Sequence, residues 1–201
     1  MAEFEKAQAL VGLSEGGYQN DPRDTGNYYQ GSLIGTNWGI SAPTLAGFLG
    51  RVPTTLDMKN LSKKTAEEIL KANYWTRNNL DKIKNQSIAN LLYDGVVNHG
   101  SNGMRMLLSK ALDTLGAPIA YYDIFTDQAI KTLNQLNEKR LFFAIKKARA
   151  DKYRGSSQTY YIDGWLKRLD RIQYYPNNSI SSIWPIIPIL LIGIVLISFA
   201  L

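Results

Sequence analysis

The stretch Ser14-Glu15-Gly16-Gly17-Tyr18, continued by Gln19-Asn20-Asp21-Pro22, is the one around which the chain is organised. It follows an amphipathic run, Phe4, Ala7, Leu10 and Val11, and its two glycines accept the positive φ that ends a helix without steric cost. Glu15 is therefore expected on the last turn of a helix. A carboxylate there faces the negative end of the helix dipole, and apolar neighbours would desolvate it. Both effects disfavour ionisation and raise its pKa, which is what a general acid for acetal cleavage needs. By itself the stretch reads more readily as a surface glutamate before a capping glycine, so the decision falls on the rest of the chain.

With 201 residues, the chain is long enough for one compact domain and a small appendage. It has no cysteine and a single histidine, His99, which excludes disulfide scaffolds, cysteine-ligated metals and histidine-rich zinc sites. Chemistry must come from carboxylates, hydroxyls and amides, and no metal or organic cofactor is required. The net charge of +6 is concentrated in residues 131–175, with eleven Lys or Arg against four Asp or Glu. Lys146, Lys147, Arg149, Lys152 and Arg154 belong to this segment and suit an anionic cell-wall polymer, although a solvated helix face explains them almost as well. No phosphate loop, zinc-finger spacing or RNA-reading aromatic motif accompanies them, so nucleic acid is not an expected partner.

Going outward from the opening stretch, Asn20 through Asn27 is dense in turn residues, and Tyr28-Tyr29-Gln30 and Ser32-Leu33-Ile34 flank Gly31 as a small hairpin. Thr36-Asn37-Trp38-Gly39-Ile40 leads to Ser41, an expected N-cap, with Pro43 in the first turn of a helix to about Leu49. Either Ser62 or Thr65 can cap the next helix, Thr65 with Glu68 at capping-box spacing. Ser87 is expected to cap a core helix carrying Ile88, Leu91, Leu92 and Val96, with Asp94 inside it. Met104 to Leu115 is a further amphipathic helix ended by Gly116 and Pro118. Asp127 to Leu136, Glu138 to Tyr153 and Trp165 to Arg171 read as the last helices of the soluble part. The expected architecture is mainly α, a helical domain with one small β-hairpin.

The N-terminus is acidic and lacks an apolar run, so no cleavable secretion signal is read there. Residues 183–201 carry no charged side chain, and nineteen residues span about 28 Å as a helix, close to the hydrocarbon core of a bilayer. A C-terminal transmembrane helix is expected, with Trp184 at the interface. Lys167, Arg168 and Arg171 before it favour a cytoplasmic soluble part.

Glu15-Gly16-Gly17-Tyr18 with Asn20-Asp21-Pro22, the Asp24-Thr25-Gly26 turn, Thr36-Asn37-Trp38-Gly39-Ile40-Ser41, Tyr74-Trp75 and Asp94 through Asn98 together resemble glycoside hydrolase family 108. These are lysozyme-like N-acetylmuramidases of phage and bacterial genomes. Asp123 to Leu133, Arg149-Ala150-Asp151-Lys152-Tyr153 and Gly164-Trp165-Leu166-Lys167-Arg168 resemble the predicted peptidoglycan-binding module that follows this domain in the family. The segment between Gly26 and Thr36 is longer than the family pattern. The resemblance implies a lysozyme-like catalytic region over 1–100 and a helical peptidoglycan-binding module over 101–175, while the linker over 176–182 and the anchor over 183–201 are read from the residues themselves, the anchor being outside the family pattern.

It also implies an activity, hydrolysis of the β-1,4 bond between N-acetylmuramic acid and N-acetylglucosamine in peptidoglycan glycan strands, with Glu15 as general acid. The second carboxylate is open among Asp21, Asp24 and Asp94. Asp24 ranks first because of its turn-rich segment, whereas Asp94, among apolar neighbours in a helix, reads as a structural residue bonded to loop amides. Tyr18, Asp21, Thr36, Asn37, Trp38 and Asn98 are the candidate substrate-binding residues. Each of Tyr18, Thr36, Asn37 and Trp38 also has an ordinary reading in packing or turn chemistry. Two other functions fit the same residues: a lytic transglycosylase, and a non-catalytic wall-binding or secretion-associated protein. An endolysin held at the membrane, on the cytoplasmic face or on the outside, is the expected setting.

Overall fold

The computed structural model describes residues 1–12 and 17–177. Among these, the helices are α1 (Phe4–Gly12), α2 (Ala42–Leu49), α3 (Thr55–Lys59), α4 (Lys63–Leu70), α5 (Gln86–Thr114), α6 (Asp127–Leu133), α7 (Glu138–Arg154) and α8 (Ile162–Asp170). Strands β1 (Tyr28–Tyr29) and β2 (Ser32–Leu33) form an antiparallel hairpin with Tyr28 opposite Leu33. The mainly helical architecture with one small hairpin is the expected one. Glu15 and residues 183–201 lie outside the described residues, and none of the described helices is long and apolar enough to cross a membrane.

The core forms around α5. Leu91, Leu92, Val96, Met104 and Leu108 are fully buried along it, each large side chain contributing about 1.5–3 kcal/mol by burial. On one side α7 packs against it through Leu141, Phe142, Ile145 and Ala148, spaced to share one helix face. On the other side lies α1, anchored by Phe4, whose ring meets Trp75 and Tyr93 edge-on at 5.9 and 5.6 Å. The Glu3 amide donates to Gln86 Oε1 (2.7 Å) and the Tyr93 hydroxyl to Gln8 Oε1 (2.6 Å). Both partners advance together, so α1 and α5 run parallel.

Several helix boundaries are set by other residues than the sequence pattern favours. Asn85, whose side chain accepts from the Ile88 amide, caps α5, and Ser87 is buried two residues further on, within the first turn. Ser62 caps α4 through the Thr65 amide, while a complete capping box is at Thr54 and Asp57. The last turn of α4 widens into a π-helical turn over Lys71–Trp75, which sends Trp75 into the core. Inside α5, Gly100 has φ 67° and ψ 166°, a conformation open essentially to glycine alone, and the helix breaks there. The two helical patterns in the sequence are thus consecutive arms of one element bent at Gly100.

Asp94 differs from the expected role of binding loop amides. Its Oδ2 accepts from Arg149 Nη2 at 2.5 Å and its Oδ1 from Arg168 Nε at 2.8 Å. Arg149 also donates to the Leu91 carbonyl and the Tyr153 hydroxyl, at 2.9 and 3.0 Å. It has no exposed surface, so it adds nothing to a cationic face. Burial works against ionisation of Asp94, but the two guanidiniums outweigh it and hold the carboxyl below its ordinary pKa.

Candidate active site

Parallel packing delivers the end of α1 to the level of Val97, four residues beyond Tyr93 as Gly12 is beyond Gln8. The stretch from Gly17 is clamped to the hairpin: Gln19 and Thr36 exchange backbone hydrogen bonds of 2.9 and 2.8 Å. Gly35 is what allows this approach. Its φ is +97°, and a Cβ there would stand 2.6 Å from the Tyr18 ring and 2.7 Å from the Gln19 carbonyl.

A polar knot holds the loop from below. Asn27, wholly buried, donates to Gln19 Oε1 and the Asp21 carbonyl, and its own Oδ1 accepts from Thr36 Oγ1 at 2.6 Å. Gln19 Nε2 in turn donates to Asp24 Oδ2 (3.1 Å), while Asp24 Oδ1 accepts from the Gly26 amide (2.9 Å). Asp24 is thus exposed, oriented on both oxygens by neutral donors, and in no ion pair among the described residues. Asp21 is different. Arg23 grips both of its oxygens and the hydrogen bonds pull its pKa down to about 2.

The other candidate residues are spread around this knot with their polar atoms engaged in the fold. The Tyr18 hydroxyl donates to the Ile34 carbonyl, and Lys59 lies over its ring. Asn37 donates to the Met58 carbonyl and Trp38 Nε1 to the Leu61 carbonyl, Trp38 with a left-handed φ of 53°. These bonds hang the hairpin loop on α3 and the turn before α4. Asn98 is exposed and donates to the Asp94 carbonyl one turn back.

A groove of about 1170 Å³ opens next to this assembly. Its walls are Thr44, Gly47 and Phe48 from α2, Glu68, Asn73 and Tyr74 from α4 and the π-helical turn, Arg77 and Asn78 from the 3-10 turn that follows, and His99 to Asn102 with Arg105 at the α5 bend. Hydroxyls link it to the Asp24 turn: Ser41 Oγ meets Thr44 Oγ1 at 2.9 Å, and Thr44 Oγ1 meets the Tyr74 hydroxyl at 3.0 Å. Ser41 itself sits against Gly26, whose Cβ would lie 3.7 Å from that of Ser41. Sequence reasoning did not find the groove, apart from quoting Tyr74 and placing Asn98 beside His99. No periodicity brings α2, the π-helical turn and the α5 bend together.

His99 at the groove is held neutral. Burial, aided by the charges of Arg149 and Lys152, lowers its pKa to about 4, and its Nε2 is buried with no hydrogen-bond partner among the described residues. Among the described residues no cluster of three or more His, Asp or Glu is placed to hold a metal ion.

With that geometry in view, similarity to known proteins becomes informative. Residues 9–100 match the family Glycosyl hydrolase 108. The chain is a glycoside hydrolase of lysozyme-like fold. The matched stretch contains Glu15, the hairpin loop, the α2 and α4 walls and the first arm of α5. The Brucella abortus SagA structure is similar in fold, with a TM-score of 0.69 at 24% identity, over 84% of this chain and 90% of that one. That coverage exceeds the family stretch, so the likeness of fold extends into the C-terminal helices. No curated protein matches the chain.

Proposed function

We propose that the chain hydrolyses peptidoglycan at the β-1,4 bond between N-acetylmuramic acid and N-acetylglucosamine, with Glu15 donating the proton to the leaving oxygen. The observation that carries this reading is the family match over 9–100, which includes the Glu15 stretch, joined to a groove wide enough for sugar rings at the level where α1 ends. As the glycosidic bond breaks, positive charge develops on the sugar and a carboxylate must face it or activate water. Asp24 is the carboxylate we assign. Asp94 is sealed by two arginines and Asp21 is neutralised by Arg23, whereas Asp24 is exposed and oriented by neutral donors.

Zymography with Glu15→Gln tests the assignment: clearing of peptidoglycan is expected to vanish, and persistent clearing would sink Glu15. Mass spectrometry of the products then separates water addition from intramolecular transfer, since a transglycosylase releases anhydro ends one water lighter. The apolar run 183–201 supports a C-terminal anchor. Protease digestion of the soluble part in intact spheroplasts would place that part outside, and protection would place it inside.

A further inference from the structure

From the end of the family-matched stretch, a ladder of aromatic rings climbs out of the groove. His99, in the groove wall, lies 5.3 Å from Tyr153, and Tyr153 lies 5.4 Å from Trp165. Trp165 stacks on Tyr161 at 5.8 Å with planes 26° apart, and Tyr161 meets Tyr160 edge-on at 5.1 Å. Exposure rises along the ladder from buried Tyr153 to Tyr161 at 42% and Tyr160 at 88%. Neither of the last two hydroxyls has a protein hydrogen-bond partner among the described residues. Two adjacent tyrosines left this open are not core packing.

The ladder thus begins in the groove wall at the α5 bend and ends at two rings open to solvent. A pyranose ring presents a face of C–H groups, and an aromatic face covers it.

We infer that Tyr160 and Tyr161, backed by Trp165, form a stacking platform for N-acetylated sugar rings of the glycan strand, so that the C-terminal helices extend the groove instead of forming a separate binding unit. This inference rests on the proposed glycan hydrolysis. The ligand is a β-1,4-linked N-acetylhexosamine oligomer long enough to reach past the cleavage point. Trp165, packed on Tyr153, holds Tyr161 in place, and Tyr160 is the ring most open to the sugar.

The test compares wild type with Tyr160→Ala, Tyr161→Ala and the ring-preserving Tyr160→Phe, scoring reducing ends released from purified peptidoglycan. An aromatic contact of about 0.5–1.5 kcal/mol predicts a two- to tenfold rise in KM for each alanine variant, with kcat and melting temperature unchanged and Tyr160→Phe close to wild type. Chitohexaose binding to the Glu15→Gln protein, followed by tryptophan fluorescence, is expected to weaken by the same factor when Tyr160→Ala is added. Unaltered KM and chitohexaose affinity overturn the platform, as does a fall in kcat with KM unchanged. Should wild type release no reducing ends at all, the proposed function fails, and the chitohexaose titration still judges the platform.

Discussion

Replacing Arg149 with methionine is the sharpest probe of how the two ends of the chain depend on each other. Arg149 belongs to α7, and Asp94 to the family-matched part of α5, 55 residues away. The substitution keeps the aliphatic stem but removes a buried charge, leaving the Asp94 carboxylate, 4% exposed, with Arg168 alone. Breaking one partner of a buried ion pair costs about 3–5 kcal/mol. The surviving Arg168 bond lowers that figure, and the lost donor to the Leu91 carbonyl adds about 1 kcal/mol, so about 4 kcal/mol is expected. For a chain of this size that is a fall of about 8–16 °C in Tm. Adding Asp94→Leu removes the stranded charge and should return about 2 kcal/mol, Arg168 being able to reach solvent. Urea unfolding of the three proteins measures this directly. A loss below 1 kcal/mol for Arg149→Met, or a double variant no more stable than the single one, would refute the reasoning.

Three further outcomes follow from single positions. The folded-state pKa of His99 is near 4 against an ordinary 6.5, so the unfolded chain takes up a proton first, and stability should fall as pH drops from 6.5 towards 4. His99→Gln should flatten that slope in urea titrations at pH 7 and 4.5, and an identical slope would contradict a buried neutral imidazole. Gly35→Ala forces a Cβ into the Tyr18 ring at a φ of +97°, so a loss of about 2 kcal/mol or more is expected by calorimetry. Gly100→Ala meets no neighbouring atom, and its cost is backbone strain alone, about 1–3 kcal/mol; a melting curve equal to wild type would mean the α5 bend accepts other conformations.

Local chemistry was legible in the sequence where it acts over a few residues. Ser41 and Pro43 start α2, Gly31 turns the hairpin with Gln30 beside it at positive φ, and the apolar spacing of α7 marks its buried face. The Glu15 stretch and its companion blocks carried the family. What could not be read depends on distant partners. Arg149 looks like one more cation in a basic segment until α7 lies on α5 and its guanidinium meets Asp94. Thr36, Asn37 and Trp38 look like sugar contacts, yet their polar groups suspend a loop from Asn27, Met58 and Leu61. The groove needs three elements whose sequence separation exceeds any local pattern, and the widened turn that aims Tyr74 into it has no signature in residue type.

The bend at Gly100 carries a built-in chemical clock. Nine residues along a straight helix are about 13 Å apart, yet Met104 folds back onto Gly95, where a methyl group in place of hydrogen would strike its sulfur. Met104 has no exposed surface, while Met106, on the same arm, is 55% exposed. Dilute peroxide is therefore expected to oxidise Met106 well before Met104. The ratio of the two sulfoxides, read by peptide mass spectrometry, measures how strongly the folded chain shields Met104. The sulfoxide of Met104, polar and larger than the sulfide, does not fit back against Gly95, so oxidation would hold the arms apart until a reductase restored the thioether.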